Sequence, residues 1–432
     1  MKKYISCDIL IVGGGIVGSS IARSIAIKCP SKKIILIEKD NEIGQHNSVL
    51  NSGVIHSGLY YPKNSLRKEY CIRGNNLLTQ FHKDKNIPLR NCGKLIAPRN
   101  VNECEGIFDL YKQGRENGVE LELINLNEAM KIEPNLKVNG DFPIIFSPNT
   151  KVGNPKKVMH EIEKDMRGIA NLEILCNTKI EKLLKLSDNE ILISTGNHRH
   201  NIECGYFINA AGLYSDKIAK MFNKGLQYEL LPIIGTYLVD ILSEKNKSHD
   251  IIYNDVDGTK ILKTLVYPIP PIKGNNFLGV HTTITSNGTI KIGPTALPCL
   301  WREQHLGLNS LNIEEFIEII SLYIKLLKSE NRNSIISLIK KQVKNLLTHN
   351  IILEGKSLVG IYDKVETNIY RSLKHDRFKF KIGGIRSQLV NINSMKFEND
   401  FIIDKGKNHI HLLNIISPGW TSAMAIAEDI II

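Results

Sequence analysis

Asp8-Ile9-Leu10-Ile11-Val12-Gly13-Gly14-Gly15-Ile16-Val17-Gly18 is the stretch whose reading decides the fold. Asp8 to Val12 reads as a buried parallel strand, the GxGxxG word follows at once, and Ser19 to Ile27 continues as a helix. Each glycine has a task. Gly13 permits the tight turn, Gly15 lets backbone approach a pyrophosphate, and Gly18, with Ala22 a turn later, lets helix and strand pack closely. The helix N-terminus then offers free N–H groups to the phosphates. A second strand, Ile34 to Ile37, ends in Glu38, twenty residues past Gly18, where an acid can accept ribose hydroxyls and disfavours a 2′-phosphate. Lys39 stands beside it as a further cofactor candidate. The fingerprint predicts a dinucleotide site but does not separate FAD from NAD.

Around this start, 432 residues suit two interleaved domains. Hydrophobic residues at 42% and charged residues at 23% fit a globular enzyme, not a disordered or fibrous chain. The net charge of +12 is spread over a Lys-, Asn- and Ile-rich sequence. It marks no single patch, and without aromatic–basic interleaving a nucleic-acid partner is not expected. Eight cysteines with no CxxC pair argue against a metal site and a disulfide framework, and fit a reducing cytoplasm. No run approaches the roughly 18 to 20 apolar residues of a membrane span, so membrane contact would be peripheral, on the inner face of the cytoplasmic membrane.

Asn51-Ser52-Gly53-Val54-Ile55-His56-Ser57-Gly58-Leu59-Tyr60-Tyr61 holds small and polar residues where an ordinary βα unit shows a plain amphipathic helix. Ser52, Gly53 and Gly58 would admit backbone to a flat ligand, with His56 near its ring. This word, together with Cys92-Gly93-Lys94-Leu95-Ile96, Asn209 to Asp216, Leu278 to His281, Gly384 to Val390, and Ser417-Pro418-Gly419 with Thr421-Ser422, resembles the L-2-hydroxyglutarate dehydrogenase/oxidase family. That family lies within the D-amino-acid-oxidase-like flavoproteins. The likeness runs from about residue 7 to the C-terminus and is weakest over 300–375.

The resemblance implies an α/β fold: a Rossmann-like FAD-binding domain with an inserted antiparallel-sheet substrate domain. We assign 1–80, 150–220 and 355–432 to the first, and 81–149 and 221–354 to the second. Cys204 to Gly212 reads as a strand ending in a small-residue turn at Ala211 and Gly212, and glycine turns at Gly383-Gly384 and at Ser417-Pro418-Gly419 mark two further returns to the flavin. Val266 to Pro270, Phe277 to Thr283 and Thr289 to Gly293 read as hairpin strands. Asn312 to Leu347 reads as helical, with Lys340, Lys341 and Lys344 on a basic face that suits either solvent or an anionic membrane.

The resemblance also implies a reaction: hydride leaves C2 of a 2-hydroxy acid for flavin N5 while a base takes the hydroxyl proton, and electrons pass on to quinone or oxygen. Arg386 resembles the arginine that grips the substrate carboxylate. His56 is the first choice of base and His281 the second. Tyr61 is a substrate-side residue, and Lys68 or Arg302 is expected to hold a distal carboxylate. Departures stand at Ile234 and Thr236, where charged residues are expected, at Val49 and Leu50, and at Trp420, where a small residue is usual. An amino-acid or glycerol-3-phosphate oxidoreductase, and an FAD-binding protein without catalysis, remain the alternatives.

Overall fold

The computed structural model describes residues 3–138, 140–196, 200–240, 262–270, 280–330, 332–333, 336, 359 and 378–430. Two large sheets organise them. The first has eight strands and runs Ile403–Lys405, His409–Leu412, His200–Asn209, Lys3–Val12, Ile34–Ile37, Leu172–Leu175, with the hairpin Ile180–Leu186 and Ile191–Thr195 attached to His200–Asn209. From His409–Leu412 to Leu172–Leu175 every pairing is parallel. Strands covered on both faces must be apolar at every position, and alternate residues here point to opposite cores. Ile9, Ile11, Ile34 and Leu36 pack under the first helix, Ile16–Lys28, and the closing helix, Gly419–Asp429. Leu10, Val12, Ile35 and Ile37 pack on the other side with Ile218 and Phe222.

The second sheet has ten strands and is antiparallel except where Leu265–Pro268 runs beside Lys94–Ala97. Its longest pair is Tyr228–Asp240 with Phe378–Asn391. Here the sequence reading is corrected. Gly383-Gly384 is not a turn, and the strand carrying Arg386 pairs in the substrate-side sheet, not in the FAD-side sheet to which 355–432 was assigned. The glycines serve close approach: a Cβ on Gly384 would lie 2.4 Å from Asn47 Oδ1, and one on Gly383 would lie 2.7 Å from the Tyr237 ring. Apolar residues Ile385, Leu389 and Val390 therefore continue the strand into two buried clusters.

The expected helix over 312–347 is described as Ile313–Lys328, capped by the Asn312 side chain accepting from Glu315 N. Lys340, Lys341 and Lys344 lie outside the described residues, as do Phe277, Leu278 and Gly279. The hairpin strands occur as Leu265–Pro268, His281–Ile284 and Ile290–Gly293. Among the described residues, no helix is long and apolar enough to cross a membrane. All eight cysteines are free.

A two-stranded ribbon, Val54–Ile55 with Lys151–Val152, links the sheets. Beyond it His56 N donates to Thr421 Oγ1 of the closing helix at 3.2 Å, and Ser57 Oγ meets Ser147 Oγ of the second sheet at 2.9 Å. The two residues fix the position where the domains meet.

Candidate active site

The cofactor cradle follows from its glycines. Gly13 has φ +106°, and a Cβ there would lie 2.4 Å from Ala210 O; one on Gly18 would lie 2.0 Å from Gly13 O. No side chain but glycine's fits either place. Glu38 accepts from Gly14 N at 2.7 Å and from Asp40 N at 3.0 Å, which fixes its carboxylate beside the turn. The first helix has no acid in its first turn; Ile16 N donates to Ser48 Oγ at 2.8 Å, and the dipole of this end still favours an anion. Gly212 has φ +54° with open space where its Cβ would be. Gly53, φ +78°, is held against Gly153, whose N–H donates to Gly53 O at 2.8 Å. Ala211 N is fixed by Asn209 Oδ1, and Ser52 Oγ accepts from Val54 N at 3.5 Å. Pro418 precedes the buried N-terminus of the closing helix at Gly419. These features fit a long, anionic, flat cofactor such as FAD.

Next to the cradle lies a buried cluster of cationic and aromatic side chains. His56 is buried, and its Nδ1 has no hydrogen-bond partner among the described residues. Burial, then the charges of Lys94, His281 and Arg67, hold the imidazole well below its ordinary range, so it is neutral. His281 stacks on Tyr267 with ring centroids 3.8 Å apart and planes 21° from parallel. The Lys94 ammonium lies 5.1 Å from that Tyr267 ring and 4.3 Å from the Tyr60 ring. Burial lowers Lys94 to about 7. Arg386 keeps partial exposure, but Nε and Nη2 are buried, and burial with the Arg67 charge lowers it to about 9. Tyr61, pushed up by burial, stands next to Arg386 and under the Arg67 guanidinium, 4.5 Å from its ring. No carboxylate is among the groups that shift His56 or Lys94. The pocket is therefore electropositive and buried, and an anion entering it gains more than it would in water.

The structure places His56, His281, Arg386 and Tyr61 in one cluster. It removes Arg302. That side chain makes a buried pair with Asp216 at 2.7 and 2.9 Å and also donates to Leu213 O, so its charge is spent inside the fold. Lys68 is partly exposed, and its backbone N–H is the group that Ser65 caps. The neighbouring Arg67 turns inward over the Tyr61 ring, its guanidinium donating to Asn399 O and Ser417 O. Lys39 is engaged by Asp40 at 2.9 Å and by Glu303.

The departures also find places. Ile234 joins an apolar cluster with Ile385 and Leu389, and Thr236 Oγ1 meets Thr295 Oγ1 at 2.5 Å, so neither position holds a charge. Trp420 lies against Gly153 and edge-on to His82, whose ring centroid is 6.3 Å away. Val49 packs on the first-sheet core and Leu50 ends the short helix Asn47–Leu50.

Sequence reasoning missed Lys94, Arg67, Tyr60 and Tyr267 as site residues. For Lys94 a signal existed: it is the one charge in the strand Lys94-Leu95-Ile96-Ala97, which is otherwise apolar and buried throughout. For Arg67 there was none, because helical phase alone does not say which of Arg67 and Lys68 turns inward.

Comparison with known proteins is consistent with this geometry. The family model described as FAD dependent oxidoreductase matches residues 8–431. The mitochondrial L-2-hydroxyglutarate dehydrogenase of Caenorhabditis briggsae is 31% identical over 100% of this chain and 93% of its own length. The human enzyme of the same name is 29% identical over 98% and 87%. Among solved structures, the L-alpha-glycerophosphate oxidase of Mycoplasma pneumoniae with FAD bound shares the fold at TM-score 0.68 and 22% identity, covering 98% of this chain and 93% of that one. The glycine oxidase of Geobacillus kaustophilus gives 0.67 at 13% identity over 98% and 93%.

Proposed function

The chain belongs to the FAD-dependent oxidoreductase family and groups there with the L-2-hydroxyglutarate dehydrogenases, and we propose that it oxidises an L-2-hydroxy acid, L-2-hydroxyglutarate first, to the 2-oxo acid. One observation carries the reading: a neutral, buried imidazole with an unpartnered Nδ1 stands among cationic side chains with no carboxylate acting on it. Such a pocket favours an anion whose hydroxyl must lose a proton. Bound FAD supplies the hydride acceptor.

The remaining work falls to the chain's own residues. Arg386 holds the C1 carboxylate through its planar guanidinium, with Tyr61 and Arg67 bracing it. His56 takes the hydroxyl proton at Nδ1. Its low basicity in the free protein comes partly from Lys94 and Arg67. A bound carboxylate cancels those charges, so the base strengthens when substrate is in place. His281, stacked on Tyr267, borders the same space and can orient the hydroxyl. Quinone, at a peripheral membrane contact, or oxygen would be the final electron acceptor.

Anaerobic mixing of the purified protein with L-2-hydroxyglutarate, its D enantiomer, L-lactate, glycerol 3-phosphate and amino acids tests the reading. Bleaching of the flavin by L-2-hydroxyglutarate is the expected result. A flavin that dithionite reduces but no 2-hydroxy acid bleaches would overturn it.

A further inference from the structure

The Lys94 side chain is fully buried, and its Nζ has no hydrogen-bond acceptor among the described residues. An unpaired ammonium in a protein interior is costly, and a lysine with no task there would be replaced by an apolar residue at no loss. The local packing makes this sharper. Leu95 and Ala97 face one core, while Ile96, on the face it shares with Lys94, packs with Leu59, Ile145 and Tyr267. Lys94 thus projects from an apolar wall, where, among the described residues, the π faces of Tyr60 and Tyr267 meet its charge near the Cys71 thiol.

Its place in the pocket is defined by two adjacent residues. Tyr60 faces Lys94, whereas Tyr61 faces Arg67 and Arg386. The cations therefore form two groups, one on each of two consecutive tyrosines, with His56 sensing both. A monocarboxylic acid held by Arg386 leaves the Lys94 end unanswered.

We propose that Lys94 binds a second carboxylate on the substrate, distal to the one held by Arg386, and so selects dicarboxylic 2-hydroxy acids over monocarboxylic ones. The proposal rests on the 2-hydroxy-acid reading of the pocket. It assigns to Lys94 the role that the sequence offered to Lys68 or Arg302.

The test uses the FAD-loaded protein and two unreactive five-carbon acids, glutarate and pentanoate, each titrated against the flavin absorbance spectrum at pH 6. In the natural protein glutarate should bind roughly 10- to 100-fold more tightly than pentanoate, the range expected of one additional hydrogen bond to a charged group. In Lys94→Met that preference should vanish, with pentanoate binding unchanged. Equal binding of the two acids by the natural protein overturns the proposal without recourse to any variant. So does a preference that survives in Lys94→Met, or an equal loss of both acids. If glutarate is preferred but L-2-hydroxyglutarate fails to bleach the flavin, the proposed reaction falls while the role of Lys94 stands.

Discussion

The ammonium of Lys94 lies 4.3 Å from the centroid of the Tyr60 ring and has no hydrogen-bond acceptor among the described residues. Folding must desolvate this charge or neutralise it, and its lowering to about 7 records that cost. Because the folded value is below the unfolded one, the unfolded chain binds more protons between pH 7 and about 10.4, and stability rises with pH across that window. Lys94→Met should therefore raise the melting temperature at pH 6, by about 1–4 kcal/mol in stability, with the gain shrinking toward pH 10. Thermal unfolding at the two pH values checks it; a variant less stable at pH 6 would show that the ammonium is satisfied in the fold.

The same group sets a pH dependence of binding. Below pH 7 Lys94 is charged before glutarate arrives, whereas above it binding must take up a proton. Glutarate affinity should be flat below pH 7 and weaken by up to about tenfold per unit above it. Pentanoate should stay flat until Arg386 begins to titrate at about 9. Coincident profiles for the two acids would refute the separation of roles.

His56→Ala should lower kcat by roughly 10²- to 10⁴-fold, the usual worth of a positioned base, with the flavin spectrum unchanged. Since His56 is held well below its ordinary range in the free protein, kcat/KM should show no acid limb near 6.5. Arg386→Leu should raise KM for every acid in the panel. A variant of either kind with near-normal turnover would remove that residue from the reaction.

Arg302→Met leaves Asp216 buried without its partner, and the expected loss is about 3–5 kcal/mol of stability. The KM of whatever enzyme survives should be unchanged, because the arginine points at Asp216 and Leu213 O. A raised KM with normal melting would return Arg302 to the substrate.

Gly18→Ala places a methyl group 2.0 Å from Gly13 O. The variant should purify without FAD, read as the ratio of flavin to protein absorbance. Full flavin content would mean that the turn tolerates a shift that its packing argues against.

Much of the cofactor side was legible in the sequence because its constraints are local. Val12 to Gly18 and Glu38 lie within one βαβ unit, where glycine spacing and strand periodicity speak directly. The substrate side was legible only in part. His56, Tyr61 and Arg386 were found through words they share with a family, but the partner that takes Arg302 out of the pocket is Asp216, 86 residues away. Gly383-Gly384 misled for a related reason. Paired glycines suggest a turn, and only the proximity of Asn47 and Tyr237 shows that they are there to let chains approach.

The bond from His56 N to Thr421 Oγ1 spans 365 positions of sequence. Its consequence concerns the order of events during synthesis. Thr421 is made 365 residues after His56, and the strand His409–Leu412, which completes the parallel sheet beside His200–Asn209, is made only shortly earlier. Neither the cradle nor the position of the base can be settled before these two segments have been synthesised, so flavin capture cannot be completed earlier, and the preceding segments must avoid aggregation until then.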